Sequence, residues 1–173
     1  MFLSAQDLAV RKIPVRTVFA PGDLDLLDPA LRISAPIEVV AVAELRAGNE
    51  IRVSGTLAGE IEAGCDRCAE FFRVPVSGEF DLRYEPSENE PSQPEHAISP
   101  GDAEVGFYEG AGVELSAVIR EQVLLSLPMR QLCGADCKGI CPVCGQNRNT
   151  ADCQCRVTRT DSRWEALGEL AGT

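Results

Sequence analysis

The chain is organised around residues 133–145, which read Cys-Gly-Ala-Asp-Cys-Lys-Gly-Ile-Cys-Pro-Val-Cys-Gly. Four cysteines lie in this stretch, and Cys153 and Cys155 follow it closely. Thiolates so near to one another repel unless a cation neutralises them, and Zn²⁺ does so by binding four sulfurs tetrahedrally. The stretch therefore predicts a metal scaffold. We expect this scaffold, and not a catalytic centre, to organise the protein.

The other two of the eight cysteines, Cys65 and Cys68, form a C-x-x-C far upstream. Their segment, residues 64–70, connects two predicted strands, and a C-x-x-C at such a hairpin tip directs both sulfurs towards one point, as in a zinc knuckle. Eight cysteines suffice for two Zn(Cys)₄ sites. Sites made wholly of cysteine are typical of structural zinc, because catalytic zinc keeps an open position and usually has a His or water ligand.

Two partitions of the ligands fit these spacings. In the first, two ions are bound, one locally near the C-terminus and one between the hairpin tip and the end of the main helix. The local set is Cys141, Cys144, Cys153 and Cys155, and the long-range set is Cys65, Cys68, Cys133 and Cys137. In the rival partition, four of the six C-terminal cysteines share one ion and the upstream pair stays a free dithiol. The first partition uses every cysteine, and we favour it for that reason.

Three long segments alternate between apolar and polar residues, which is the pattern of half-buried antiparallel strands. Ala47-Gly48-Asn49 closes the hairpin between the first two of them. A shorter apolar segment contains Pro14, which favours the edge of a sheet. The predicted strands are, in chain order, residues 13–19, 37–45, 51–61, 72–84 and 105–108.

One main helix is predicted over Val113–Leu127, with Glu114 in its first turn and Pro128 ending it. Its apolar residues recur at helical spacing, so we expect them to cover one face of the sheet. They are Leu115, Val118, Ile119 and Leu125, with Gln122 on the same side.

These patterns together predict an α+β fold: an antiparallel β-sheet with one main covering helix and a C-terminal cysteine-rich zinc-binding extension. Residues 1–128 are expected to form the sheet and helix domain. Within it, the polar, proline-rich segment 86–101 is expected to be a mobile loop. Residues 129–173 are expected to form the zinc-binding extension, which ends in a short helix over 162–170.

The net charge of the chain is −11, which argues against nonspecific binding to nucleic acid by the protein as a whole. The charge is uneven, since residues 1–128 carry 10 basic and 22 acidic side chains and residues 129–163 carry 6 and 3. Contact with a phosphate backbone is therefore expected only at the cysteine-rich segment. No signal peptide or transmembrane stretch is visible, so we expect a cytoplasmic protein with reduced cysteines.

No catalytic motif accompanies the cysteines. The sequence has no G-x-G-x-x-G, P-loop, H-E-x-x-H or G-x-S-x-G. Its one histidine, His96, lies in the predicted loop and is expected to be solvated. A thiol–disulfide oxidoreductase using Cys65 and Cys68 is one alternative, although only Arg67 offers the cationic neighbour that a reactive thiolate needs. A zinc-buffering protein is the other. We expect no enzymatic activity.

The order of these features resembles the YceD family, described as large ribosomal RNA subunit accumulation protein. The resemblance lies in a C-x-x-C at 65–68 followed by Phe71-Phe72, an acidic loop, and a helix that ends at Pro128. It continues through C-x₃-C-K-G-I-C-P-V-C-G-Q-N at 133–147 and C-x-C at 153–155, and thus covers nearly the whole chain up to Cys155.

The resemblance implies a bacterial cytoplasmic protein that is needed for normal levels of 23S ribosomal RNA. Its expected partners are ribosomal assembly intermediates or a ribosomal protein, since family genes often neighbour a gene that encodes a small ribosomal protein of the large subunit. Some family members lack the C-terminal set of four cysteines but keep the upstream C-x-x-C and a later cysteine. A separable set is what the two-site partition predicts.

Overall fold

The computed structural model describes residues 1–90 and 105–155, which form an α+β arrangement dominated by strands. In chain order the elements are β1 (Phe2–Ser4), α1 (Ala5–Val10), β2 (Ile13–Phe19), β3 (Leu31–Leu45), β4 (Ile51–Gly64), β5 (Phe71–Pro86), β6 (Val105–Tyr108), β7 (Gly112–Glu114) and α2 (Leu115–Leu125). Short 3₁₀ turns lie at Ala47–Asn49 and Ser87–Asn89. No helix among these residues is both long enough and apolar enough to cross a membrane.

The main sheet has five strands in the order β2-β3-β4-β5-β6. The first four are antiparallel neighbours, and β2 with its Pro14 lies at an edge, as predicted. The expectation of a wholly antiparallel sheet is wrong, because β6 pairs with β5 in parallel and makes the sheet mixed. Parallel neighbours need a crossover connection rather than a tight hairpin, and residues 87–104 provide its length.

The predicted alternation places one face of β3, β4 and β5 in the core. The core side chains from these strands include Ile37, Val39, Ile51, Val53, Ile61, Val76 and Phe80. From α2, the core receives Leu115, Val118, Ile119 and Val123. Three residues of the predicted apolar face, Leu115, Val118 and Ile119, are therefore buried as expected. The prediction is wrong for Leu125, which is 70% exposed, and Val123 is buried in its place. The helix also begins two residues later than predicted, because Val113 belongs to β7.

Gly55 of β4 allows the close approach of its neighbour β3. A Cβ at this position would lie 2.3 Å from the Val40 carbonyl oxygen and 2.5 Å from the Ala41 Cα. Both atoms are backbone, so no side-chain rotation would make room. Position 55 therefore requires glycine because the two backbones lie close together, and not because an apolar side chain is buried there.

The N-terminus forms elements that the sequence patterns did not predict. β1 pairs with β7 in a separate two-stranded antiparallel sheet, and α1 follows at once with Ser4 as its N-cap. The Ser4 hydroxyl accepts a hydrogen bond from the Gln6 backbone N–H at 3.1 Å. A serine three residues before an aspartate was the available signal for this short helix.

The chain divides into two compact units. The first comprises Met1–Gly64 and Phe71–Gln131, and it contains the sheet, both helices and the hydrophobic core. The second comprises Cys65–Glu70 and Leu132–Thr173. The expected domain boundary after residue 128 stays a prediction. The predicted helix over 162–170, His96 and residues 91–101 of the predicted mobile loop lie outside the described residues.

Candidate metal centre

The segment Cys65–Glu70 forms a tight turn that presents two sulfurs. The Cys65 backbone N–H donates to the Glu70 carbonyl oxygen at 2.9 Å, and the Ala69 N–H donates to the Cys65 carbonyl oxygen at 2.8 Å. This geometry forces Ala69 into the left-handed region, with a φ of 61°. A turn of this kind places the side chains of Cys65 and Cys68 on one side.

The C-terminal C-x-x-C repeats that turn residue for residue. The Cys141 N–H donates to the Gln146 carbonyl oxygen at 2.8 Å, and the Gly145 N–H donates to the Cys141 carbonyl oxygen at 2.8 Å. Gly145 takes the place of Ala69 and has a φ of 73°. The equivalence of the two turns was visible only in the structure.

The first cluster brings together Cys65, Cys68, Cys133 and Cys137, whose sulfurs all lie within 4.8 Å of one another. The Cys65 and Cys137 sulfurs are 3.8 Å apart, and those of Cys68 and Cys133 are 3.7 Å apart. A tetrahedron with Zn–S bonds of 2.3 Å has sulfur–sulfur edges of about 3.8 Å. A disulfide would require about 2.05 Å. The spacing therefore fits four ligands of one tetrahedral ion.

The second cluster comprises Cys141, Cys144, Cys153 and Cys155, again with all sulfurs within 4.8 Å of one another. Cys141 is buried, Cys153 is half-buried, and Cys144 and Cys155 are exposed. In the first cluster, three of the four cysteines are buried and Cys133 is exposed. The structure thus groups the eight cysteines as the two-site partition predicts, and both groups could hold a metal ion.

Backbone donors make one thiol in each cluster easy to ionise. Burial of Cys65 opposes its ionisation, but the N–H groups of Cys133, Arg67 and Cys68 lower its pKa to about 6. The Cys133 N–H lies 3.4 Å from the Cys65 sulfur. In the second cluster, the N–H groups of Cys144 and Val143 lower the pKa of Cys141 to about 6. These donors would equally stabilise a sulfur that binds a metal.

Other thiols in the same clusters resist ionisation. The sulfurs of Cys137, Cys68 and Cys65 raise the pKa of Cys133 to about 12. The Cys144 sulfur raises the pKa of Cys155 to about 12. Four thiolates in either group therefore need a cation to coexist. A divalent ion with a preference for sulfur, such as Zn²⁺, supplies that charge.

Residues 137–141, which join the two clusters along the chain, also contact the Cys65–Glu70 turn. The Ile140 N–H donates to the Arg67 carbonyl oxygen at 2.9 Å, and Arg67 Nη1 donates to the Cys137 carbonyl oxygen at 3.0 Å. Gly139, with a φ of 71°, leaves no room for a Cβ, which would lie 2.9 Å from the Arg67 carbonyl oxygen. This role of Gly139 was not predicted, although its position between Cys137 and Cys141 was a signal for it.

Two basic side chains of the cysteine-rich segment line one cavity. Lys138 and Arg148 are exposed and line a cavity of about 340 Å³ together with Asn149, Thr150, Ala151 and Asp152. Arg156, Arg159 and Arg163, which contribute to the positive segment of the sequence, lie outside the described residues.

Residues 53–171 match the family model described as "Large ribosomal RNA subunit accumulation protein YceD". Relatives named "Large ribosomal RNA subunit accumulation protein YCED homolog 1, chloroplastic" occur in Arabidopsis thaliana and Zea mays. Each is 26% identical, over alignments 156 and 141 positions long that cover 78% and 68% of this chain. The chain spans about half of their length, 48% in both cases.

An uncharacterized protein of Mycobacterium tuberculosis is 28% identical over an alignment of 160 positions, which covers 90% of this chain and 72% of that protein. No solved structure matches this chain.

Proposed function

Because the chain belongs to the YceD family, we propose that it is a non-enzymatic, zinc-binding factor in assembly of the bacterial large ribosomal subunit. In this role it supports the accumulation or processing of 23S ribosomal RNA. The observation that carries the proposal is the family match over residues 53–171, which contain both four-cysteine clusters. The cytoplasmic location stays a prediction, since two relatives have "chloroplastic" in their names.

Two zinc ions, one per cluster, would have a structural role. When bound, each ion supplies the charge that lets four thiolates coexist and ties loops that have no hydrophobic core of their own. Structural zinc contributes about 10–16 kcal/mol in peptide sites. This is comparable to the stability of a whole domain. The all-cysteine ligand sets leave no coordination position for a substrate, which supports a role without catalysis.

We propose that contact with ribosomal RNA, or with an assembly intermediate that exposes it, is local and occurs at Lys138 and Arg148. These two cations line one cavity in a chain whose net charge is −11. The test is binding to a 23S ribosomal RNA fragment over a range of salt concentrations. Replacing both residues by Gln should lower the affinity and reduce the slope of log K against log salt by about 2.

The matched control carries the same charge change elsewhere, with exposed Arg11 and Arg16 both replaced by Gln. Its affinity and salt slope should equal those of the wild type. Equal losses in both double variants, or no loss in either, would show that the cavity is not an RNA contact.

The cellular role is tested by deleting the gene in its native host and measuring the ratio of 23S to 16S ribosomal RNA. We expect the ratio to fall and to recover with the wild-type gene. Complementation with Cys68→Ser should fail, whereas Gly78→Ala, at an open position of β5, should succeed. An unchanged ratio after deletion would refute the proposed function.

A thiol–disulfide oxidoreductase is the second candidate, and the lowered pKa of Cys65 favours it, because redox-active thiolates have this property. The accessibility of the thiols opposes it, since Cys65 and Cys68 are only 3% and 4% exposed. We expect the zinc-loaded protein to show no insulin-reduction activity. Turnover that disappears in Cys68→Ser would establish the redox function instead.

A further inference from the structure

The loop of residues 145–152 lies between two ligands of the second cluster, Cys144 and Cys153, yet it is hydrogen-bonded to the segment that carries a ligand of the first. The Arg148 N–H donates to the Gly139 carbonyl oxygen at 2.9 Å. Asn147 forms an antiparallel bridge with Ile140. A metal ion at the second cluster would thus fix both ends of a loop that packs along residues 137–141.

Within this loop, the Asn149 side chain reaches the first cluster directly. Its Nδ2 donates to the Cys137 sulfur at 3.3 Å, and its Oδ1 accepts from the Lys138 N–H at 2.8 Å. The second contact fixes the orientation of the amide, because the carbonyl oxygen must face the backbone donor. The N–H₂ group is therefore directed at the sulfur. The Asn149 backbone N–H in turn donates to Asn147 Oδ1 at 2.9 Å, which holds the residue in place.

We propose that Asn149 is a positioning residue that couples the two cysteine clusters, so that an ion in the second cluster strengthens metal binding in the first. The inference rests on the proposed binding of metal to both clusters. Hydrogen-bond donors to metal-bound ligands orient those ligands and tune their donor strength. Asn149 performs this function only while its loop is ordered, and an ion held by Cys144 and Cys153 at the two ends of the loop would add to the order that its hydrogen bonds to residues 137–141 provide. Because coupling of binding free energies is reciprocal, an ion in the first cluster strengthens binding in the second by the same factor.

A second contact supports the same link. Asn147 Nδ2 donates to Glu70 Oε1 at 3.4 Å, which connects the 145–152 loop to the Cys65–Glu70 turn. The 145–152 loop thus contacts the first cluster at Cys137, through Asn149, and contacts the Cys65–Glu70 turn at Glu70, through Asn147. Asn149 is the stronger link, because it contacts a candidate ligand.

The coupling is tested on the full-length protein by zinc competition with a colorimetric chelator. Cys68→Ser should lose the ion of the first cluster, so comparison with this variant shows which of the two measured affinities belongs to that cluster. Asn149→Ala should weaken binding of that ion by about 10–100-fold, the range found for residues that support metal ligands. In a Cys144→Ser background, where no ion at the second cluster fixes the ends of the loop, the same substitution should change the affinity by less than about threefold. The control is Gln146→Ala, which removes an exposed side chain from the same loop and should match the wild type.

Asn149→Asp separates the donor from the acceptor. It keeps an oxygen for the Lys138 N–H but presents a second oxygen, carrying negative charge, to the Cys137 sulfur. We expect at least as large a loss as in Asn149→Ala, and a red shift of the thiolate-to-cobalt charge-transfer band in the Co²⁺-loaded protein, because the sulfur loses its N–H donor. Wild-type affinity in the aspartate variant would overturn the donor role.

Two other results have distinct meanings. A loss in Asn149→Ala that is equally large in the Cys144→Ser background would overturn the coupling. A wild-type protein that holds no zinc would overturn the proposed metal binding itself. Two bound zinc ions with no effect of Asn149→Ala would overturn only the inference about Asn149.

Discussion

Two residues with positive φ show how single positions shape the cysteine turns. Ala69 and Gly145 occupy equivalent places, with φ values of 61° and 73°. The left-handed conformation costs an L-residue with a Cβ roughly 1–2 kcal/mol, whereas glycine adopts it freely. One turn therefore has the favoured residue and the other does not.

This asymmetry predicts opposite effects for a reciprocal pair of substitutions. Ala69→Gly should stabilise the Cys65–Glu70 turn by about 0.5–1 kcal/mol, and Gly145→Ala should destabilise the other turn by about 1 kcal/mol. A Cβ at Gly145 meets no atom within 4 Å, so its effect comes from the backbone alone. Zinc competition on both variants measures the effects as tighter binding in one and weaker binding in the other. Changes of the same sign would contradict the equivalence of the turns.

The identity of the candidate ligands was predictable at this scale, but their surroundings were not. Cysteine spacing left two partitions open, and the favoured one contains the two groups of four that the structure brings together. The roles of Gly139 and Asn149 depend on the contact between residues 137–141 and a loop that follows Cys144. No local pattern encodes such a contact, because asparagine and glycine are equally common in turns that bind nothing.

Among the elements, β4 contains the position where we expect a single methyl group to lower the free energy of unfolding most. Gly55→Ala forces a Cβ against the backbone of β3, and overpacking of this kind costs about 1–3 kcal/mol or more. Gly78→Ala in β5 is the control, because its Cβ meets no atom within 4 Å, and it should change stability by less than about 0.5 kcal/mol. Urea unfolding followed by circular dichroism compares them. Similar midpoints for the two variants would contradict the close approach of β3 and β4.

The long strands were predictable because each buries one face, and alternation at period two records that burial directly. The four residues of β6 are too few to encode the direction in which this strand pairs with β5. The error at Leu125 has a similar cause. Helical spacing defines a face only when the start of the helix is known, and the start at Leu115 depends on the pairing of β7 with β1.

On the scale of the whole molecule, every member of the hydrophobic core among residues 1–90 and 105–155 lies within the first unit. Cys144→Ser should therefore disorder the local cysteine turn while the sheet and α2 keep their protection. Hydrogen exchange with zinc present measures this, and Cys68→Ser is the comparison. We expect Cys68→Ser to do more harm, because its cluster links residues about 65 positions apart. Equal loss of protection throughout the sheet in Cys144→Ser would show that the clusters do not act as separate sites.

If the eight cysteines form two separate zinc sites, native mass spectrometry of protein purified under reducing, chelator-free conditions will count the ions. We expect two zinc ions in the wild type at zinc concentrations that saturate both clusters. Cys68→Ser and Cys144→Ser should each retain one ion. A wild-type protein with a single ion would instead support the rival partition, and a protein with no zinc would contradict the account as a whole.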